Sequence, residues 1–248
     1  MLFFRKYSDI RKPMRVLIFG GNGGIGHSLC KQLLNHSPEI ELHATYRANK
    51  RNDLSDDIIW HNVDITSEDK ISELAAQFSS IDWIINAIGL LHTPSNGPEK
   101  NLQSCQSEFF LENIKVNALP TLLIAKHFSA CLKASSHPRF VTISAKVGSI
   151  EDNGLGGWYS YRSSKAALNM LIKNISIEWS RRMPKACILS VHPGTTDTPL
   201  SKPFQANVPD GKLFTPDKVA SDILHIIEKA DPEITGSFLS YDGQTLPW

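Results

Sequence analysis

Short apolar runs alternate along this chain with longer segments of helical period. Val16-Leu-Ile-Phe19 is a buried-strand run that ends in Gly20-Gly-Asn-Gly-Gly-Ile-Gly26, and a helix follows to about Leu34. Glu41 to Tyr46 and Ile58 to Val63 read as the next two strands, Ser67 to Phe78 as a helix, and Asp82-Trp-Ile-Ile-Asn86 as the fourth strand. Thr93-Pro-Ser-Asn-Gly-Pro98 marks a loop. One long helix containing Pro120 is expected from Glu108 to Lys133, a strand over Arg139 to Ser144, and a second long helix from Tyr159 to Ser180. Ala186 to Val191 reads as the sixth strand, Pro216 to Ala230 as a helix and Gly236 to Ser240 as a last short strand. Strands alternating with helices in this manner predict an α/β domain, a parallel sheet covered by helices on both faces.

Composition narrows the picture only a little. A chain of 248 residues suits one large domain, which buries roughly three quarters of its unfolded surface. The 26 basic and 25 acidic side chains nearly cancel, so no global field draws the protein to nucleic acid or an anionic membrane, and a small neutral or mildly polar ligand is expected. Cys30, Cys105, Cys131 and Cys187 lie far apart, without metal-ligand spacing, and read as reduced cysteines of a cytoplasmic protein with no metal site. No apolar stretch reaches the roughly 20 residues that span a bilayer. Residues 1–13 read as a tail, either an oligomer-contacting arm or a stretch preceding a true start at Met14, and residues 14–248 as the single domain.

Candidate chemistry enters with Tyr161-Arg-Ser-Ser-Lys165, since a phenol and an amine four residues apart on a helix share one face. An ammonium beside a tyrosine favours the phenolate, and the pair is suited to donating a proton to a carbonyl oxygen if something else supplies a hydride. The glycine loop between the first strand and helix suggests a dinucleotide, because missing side chains admit backbone amides to a pyrophosphate at a helix N-terminus. Its spacing, Gly20-x-x-x-Gly24-x-Gly26, departs from Gly-x-Gly-x-x-Gly, and a tight strand-to-helix turn is the plainer reading.

Taken in order, these motifs resemble the short-chain dehydrogenase/reductase family from Arg15 onward. Phe19 stands where that family usually has Thr, while Asn22, Gly24, Ile25 and Gly26 complete its glycine loop. The resemblance implies a Rossmann-type, doubly wound sheet of about seven strands, with Asp64 at the adenine and Asn86-Ala87-Ile-Gly89 in place of an Asn-Asn-Ala-Gly element. It further implies Asn117, Tyr161 and Lys165 as catalytic residues, with Pro193, Gly194, Thr196 and Thr198 beside the nicotinamide. Plainer readings stand beside these: Asp64 as the cap of the helix near Ser67, Asn86 as a partner for strand-end backbone groups, Asn117 as a solvated helix residue. Pro120 leaves the carbonyl of Val116 without its usual donor, so a kink there can hold water, and the resemblance implies an Asn117–water–Lys165 relay.

Cofactor choice turns on Ala44-Thr-Tyr-Arg47, which ends the second strand in an arginine where NAD-binding members carry an acid. With Lys50 and Arg51 nearby, this corner favours NADP(H) over NAD(H). The family's serine is absent from its place: in Ser144-Ala145-Lys146 the expected position holds Ala145, and Ser149, or Ser144 with a local bulge, is left to supply the hydroxyl. Ser144-Ala-Lys-Val-Gly-Ser-Ile150, Gly156-Gly-Trp-Tyr-Ser-Tyr-Arg162 and Asp242-Gly-Gln-Thr-Leu-Pro-Trp248 look like a C-factor-like, carbonyl-reductase-like subgroup. The resemblance implies an NADP(H)-dependent reductase of a small carbonyl or alcohol substrate, or, as the alternative, a dinucleotide-binding signalling protein with incidental catalysis. Leu90, His92, residues 151–158 and the loop 199–214 would shape the substrate, with Leu155 and Trp158 as an apolar wall. His92 and His192 read as ordinary loop and strand-end residues. Apolar residues on more than one face of the helices 108–133 and 159–180, among them Leu168, Leu171, Ile172 and Ile175, suit an association surface or burial within the monomer equally well, and the resemblance implies a homodimer or homotetramer.

Overall fold

The computed structural model describes residues 13–36, 39–50, 53 and 55–248, so the expectations for most of the tail and for Arg51 lie outside the described residues. Seven strands build one parallel sheet: β1 (Met14–Phe19), β2 (Ile40–Tyr46), β3 (Ile58–Asn62), β4 (Trp83–Asn86), β5 (Arg139–Ile143), β6 (Cys187–His192) and β9 (Ser237–Ser240). Their spatial order is β3-β2-β1-β4-β5-β6-β9. Direction of travel reverses between β1 and β4, and the crevice above that reversal is where open α/β sheets take ligands. β7 (Thr195–Thr196) and β8 (Leu213–Phe214) form a separate small pair that the sequence pattern did not reveal.

Alternation within the strands divides the core in two. Leu17 and Phe19 face one side with Ile84, Phe140 and Ile188, under α2 (Glu68–Ala75), α4 (Leu119–Lys133) and α5 (Tyr159–Arg182). Val16 and Ile18 face the other with Ile85, Val141 and Leu189, under α1 (Gly24–His36) and α6 (Pro216–Lys229). Strands buried on both faces explain the unbroken apolar runs. Leu168, Ile172 and Ile175, whose pattern suited either an association surface or the core, are buried inside this core. The apolar residues left exposed on the helices include Leu111, Met170 and Ile177.

The expected helix from Glu108 to Lys133 is two helices, α3 (Ser107–Asn117) and α4, separated at Ala118. Pro120 lies in the first turn of α4, where its missing N–H costs nothing, so it starts a helix and does not bend one. The Thr121 N–H bonds to the Ala118 carbonyl at 3.1 Å, where an unbroken helix would send it to Asn117. No helix among the described residues is long and apolar enough to cross a membrane.

Candidate active site

The glycine loop joins the end of β1 to the first turn of α1, at the sheet's reversal point. A Cβ on Gly26 would stand 2.2 Å from the Gly20 carbonyl oxygen, so only glycine permits this closeness of helix start and strand end. Gly20 N–H donates to Thr45 Oγ1 at 3.0 Å and Gly23 N–H to the Gly20 carbonyl at 3.0 Å, fixing the turn. Asn22 spans the loop's outer rim, its amide nitrogen donating to the Asn49 carbonyl, and Ile25 anchors the helix start on the core beneath. Ala87 N–H donates to the Phe19 carbonyl at 2.9 Å, bringing Ala87-Ile88-Gly89 alongside the loop. Across the crevice, the Thr198 methyl lies 2.5 Å from where a Gly24 side chain would begin. Thr196 Oγ1 is buried without a protein partner, and Gly194 begins this segment with a φ of 72° after Pro193. A glycine cradle open to backbone amides and an unpaired buried hydroxyl two residues from Thr198, which meets that cradle, fit a dinucleotide.

Asn86 is buried, with Oδ1 accepting from Ile88 N–H at 3.2 Å and Nδ2 donating to Thr121 Oγ1 at 3.3 Å. The side chain thus shapes the turn after β4, the plainer of its two expected roles. At the adenine side, Asp64 accepts from Thr66 N–H at 2.9 Å and Thr66 Oγ1 at 2.8 Å. Those two bonds lower its carboxyl pKa, helped by the more distant Lys115 and Arg47. Ser67, not Asp64, caps α2, accepting from Lys70 N–H at 3.4 Å. Arg47 is exposed at the end of β2, its carbonyl held by Asn62 Nδ2 at 3.1 Å.

Deeper in the crevice, a position one carbon out from Gly89 lies 3.7 Å from Lys165 Nζ and 3.8 Å from Asn117 Oδ1. Asn117 is buried and clamped to Leu90, taking its N–H at 2.7 Å and giving to its carbonyl at 2.8 Å. The same amide nitrogen reaches Ser164 Oγ at 2.9 Å and Asn113 Oδ1 at 3.2 Å. With two hydrogens for three acceptors, one contact is made at the expense of another. Ser164, between Tyr161 and Lys165 in sequence, thus ties α5 to α3, a role its neutral character in the motif gave no hint of.

Tyr161 and Lys165 are both buried on the inner face of α5, with the lysine nitrogen 5.8 Å from the centre of the tyrosine ring. Lys165 Nζ donates to the Ile143 carbonyl at 3.0 Å. Burial pushes the Lys165 ammonium down to about 7, and burial likewise raises the Tyr161 phenol above its ordinary value. The expectation that the ammonium favours a phenolate is corrected here: burial raises the phenol, and it holds its proton in the ligand-free chain.

Both candidate serines have their hydroxyls committed to protein partners. Ser144 N–H continues the strand ladder to Val191 at 2.8 Å, so no bulge turns it, and its hydroxyl donates to Asn169 Oδ1 at 2.8 Å. Asn169 is about two turns along α5 from Tyr161 and also accepts from Ser190 Oγ at 2.7 Å. Ser149 Oγ donates to the Trp248 carbonyl at 3.2 Å and accepts from Asp152 N–H at 3.0 Å.

An aromatic wall flanks Tyr161. Trp158 meets its ring edge-on at 6.3 Å and tilts against Phe204 at 5.5 Å, and Phe204 in turn meets His92 at 5.7 Å. Leu155 is almost wholly exposed and takes no part in it. Trp158 has a φ of 52°, the one non-glycine residue with positive φ among those described. A bulky residue in that region costs about 1–3 kcal/mol and is held there only by its surroundings. Glu99, which no sequence motif singled out, does the holding: its carbonyl accepts from Trp158 N–H at 2.6 Å.

Residues 14–209 match the family model for short chain dehydrogenases. Over 239 residues the chain is 29% identical to 1-hydroxy-2-glutathionyl-2-methyl-3-butene dehydrogenase of Rhodococcus sp. (strain AD45), across 94% of this chain and 99% of that protein. C-signal of Myxococcus xanthus is 32% identical over 133 residues, across 54% of this chain and 75% of its own. The structure of NADPH-bound carbonyl reductase from chicken fatty liver shares the fold, with a TM-score of 0.83 at 24% identity over 97% of this chain and 96% of that one. With the family match running unbroken from β1 past Thr198, the chain belongs to the short-chain dehydrogenase/reductase family, oxidoreductases that act on CH–OH and C=O groups with a nicotinamide dinucleotide.

Proposed function

We propose that this protein is an NADP(H)-dependent carbonyl reductase in which Tyr161 is the general acid and base. The meeting of Lys165 and Asn117 beside Gly89, with the buried Tyr161 ring next to the same lysine, carries this reading. When bound, the dinucleotide supplies the hydride that reaches the carbonyl carbon. Tyr161 gives its proton to the carbonyl oxygen, and the raised affinity of the buried phenol for that proton keeps the donor loaded before reaction. Lys165, held beside the ring by the Ile143 carbonyl, stabilises the resulting phenolate. The Asn117 carbonyl, freed by the helix break at Ala118, accepts a water through which the proton is replaced. Gly20, Asn22, Gly24, Ile25 and Gly26 receive the pyrophosphate, Asp64, Asn86, Ala87 and Gly89 line the adenosine and ribose side, and Pro193, Gly194, Thr196 and Thr198 hold the nicotinamide end. Arg47, exposed at the end of β2, favours a 2'-phosphate. The NADPH-bound state of the chicken carbonyl reductase agrees with this choice. Exposed Leu111, Met170 and Ile177 on α3 and α5 favour a homodimer or homotetramer of a cytoplasmic protein.

A second reading, a signalling protein with incidental catalysis, is favoured by Ala145, by the commitment of Ser144 to Asn169 and by the likeness to C-signal. Following NADPH absorbance with a panel of aldehydes and ketones separates the two. Wild-type turnover that falls about a hundredfold or more in Tyr161→Phe supports the reductase. Tight NADPH binding without turnover by either protein supports the signalling role.

A further inference from the structure

Glu99 is among the few buried acidic residues of the described chain, only 4% exposed, and it sits in the loop that follows β4. A carboxylate so placed needs strong donors. It finds them at the start of α5: Ser160 N–H donates to Oε2 at 3.1 Å and Ser160 Oγ donates to Oε1. Helix starts ordinarily receive such a cap from their own preceding residue. Here that residue is Trp158, whose side chain offers no acceptor.

The backbone is bent to admit this substitute. Gly156, Gly157 and Trp158 all have positive φ, at 65°, 64° and 52°. A Cβ on Gly157 would lie 3.3 Å from the Glu99 carbonyl oxygen, so glycine lets the two strands of loop meet. Glu99 therefore grips the helix twice, through its carboxylate at Ser160 and through its carbonyl at Trp158. Tyr161 follows Ser160 directly, and Trp158 packs on both Tyr161 and Phe204. Lys165 is anchored independently, one turn deeper, on Ile143.

We infer that Glu99 is a positioning residue of the reaction, capping α5 from outside the helix through its carboxylate and holding Trp158 in its left-handed conformation through its backbone carbonyl, so that the proton donor and the substrate wall are set by one residue. This rests on the reading of Tyr161 as the proton donor. Loss of the carboxylate leaves the Ser160 N–H and hydroxyl without their partner, and the loop that brings the Glu99 carbonyl to Trp158 loses its side-chain anchor on α5 and can shift with it. The dinucleotide cradle and Lys165 stay in place.

The test uses the full chain with Glu99→Ala, Glu99→Gln and Ser160→Ala, measured by carbonyl-dependent NADPH oxidation, NADPH binding and near-ultraviolet circular dichroism. Glu99→Ala should lower kcat at least tenfold and raise KM for the carbonyl severalfold, with NADPH affinity within twofold of wild type. Glu99→Gln, which keeps one acceptor oxygen, should lie between, and adding Ser160→Ala to Glu99→Ala should cost little more. The aromatic dichroism should change in Glu99→Ala, and that change should vanish when Trp158→Phe is already present. Glu99→Ala that melts earlier yet turns over within twofold of wild type overturns the inference, as does dichroism unchanged in all three variants. Should Glu99→Ala fail to fold, the kcat and dichroism of Glu99→Gln and Ser160→Ala decide in the same way. Absence of wild-type turnover, or equal turnover in Tyr161→Phe, strikes the reductase reading itself, and the dichroism then still reports whether Glu99 holds Trp158.

Discussion

The amine of Lys165 stands 5.8 Å from the centre of the Tyr161 ring, both side chains sealed from solvent within one turn of α5. Before any ligand arrives, this arrangement suppresses charge on both groups, because desolvation penalises ammonium and phenolate alike.

Stability should therefore depend on pH through Lys165. Its folded pKa of about 7 lies below its ordinary 10.5, so between those values the unfolded chain binds the extra proton. Stability then rises with pH across that window, by at most about 1.4 kcal/mol per unit, and levels off below about 7, where both states bind the proton, and above 10.5, where neither does. Lys165→Met should be more stable than wild type at neutral pH, by an order of a few kcal/mol, while losing turnover. Urea midpoints of the ligand-free proteins from pH 6 to 10 check this; parallel curves for the two would contradict it.

Gly26→Ala should abolish useful dinucleotide binding. The new methyl group has no room, at 2.2 Å from a backbone oxygen that cannot swing aside. NADPH fluorescence titration should show affinity weakened more than tenfold, along with a drop in melting temperature.

Arg47→Glu should exchange cofactor preference. Losing the cation and gaining a carboxylate that suits ribose hydroxyls should raise KM for NADPH at least tenfold and lower that for NADH. If wild type already prefers NADH, the role of Arg47 is wrong.

Ser144→Ala separates a structural serine from a catalytic one. It removes the bond to Asn169 Oδ1, which keeps Ser190 as a second donor, so the expected loss is about 1 kcal/mol of stability. Its kcat should stay within threefold of wild type. A hundredfold fall would instead indicate that the hydroxyl turns to the substrate during reaction.

The sequence carried the sheet and the crevice well, because strands buried on both faces leave unbroken apolar runs and the glycine loop marks the strand-to-helix turn at the sheet's reversal. Boundaries set by single backbone events were harder. Pro120 looks the same in sequence whether it bends one helix or opens another, and only the bond from Thr121 to Ala118 decides. Leu168, Ile172 and Ile175 look alike as core or interface, since periodicity tells which face they share and not what covers it. Glu99 stayed hidden because its partner Ser160 is distant in the chain, and long-range capping has no local spacing to read. The pKa of Tyr161 went the other way from expectation because neighbours are visible in a motif and burial is not.

His92, Trp158 and Phe204 come from three separate loops, whereas Asn117 and Lys165 are locked to the helices and sheet behind them. Shape preference and bond chemistry are thus written in different parts of the chain. Exchanging Phe204 or His92 leaves the core packing untouched, so substrate range can drift, in nature or in the laboratory, without the machinery that moves the proton being rebuilt.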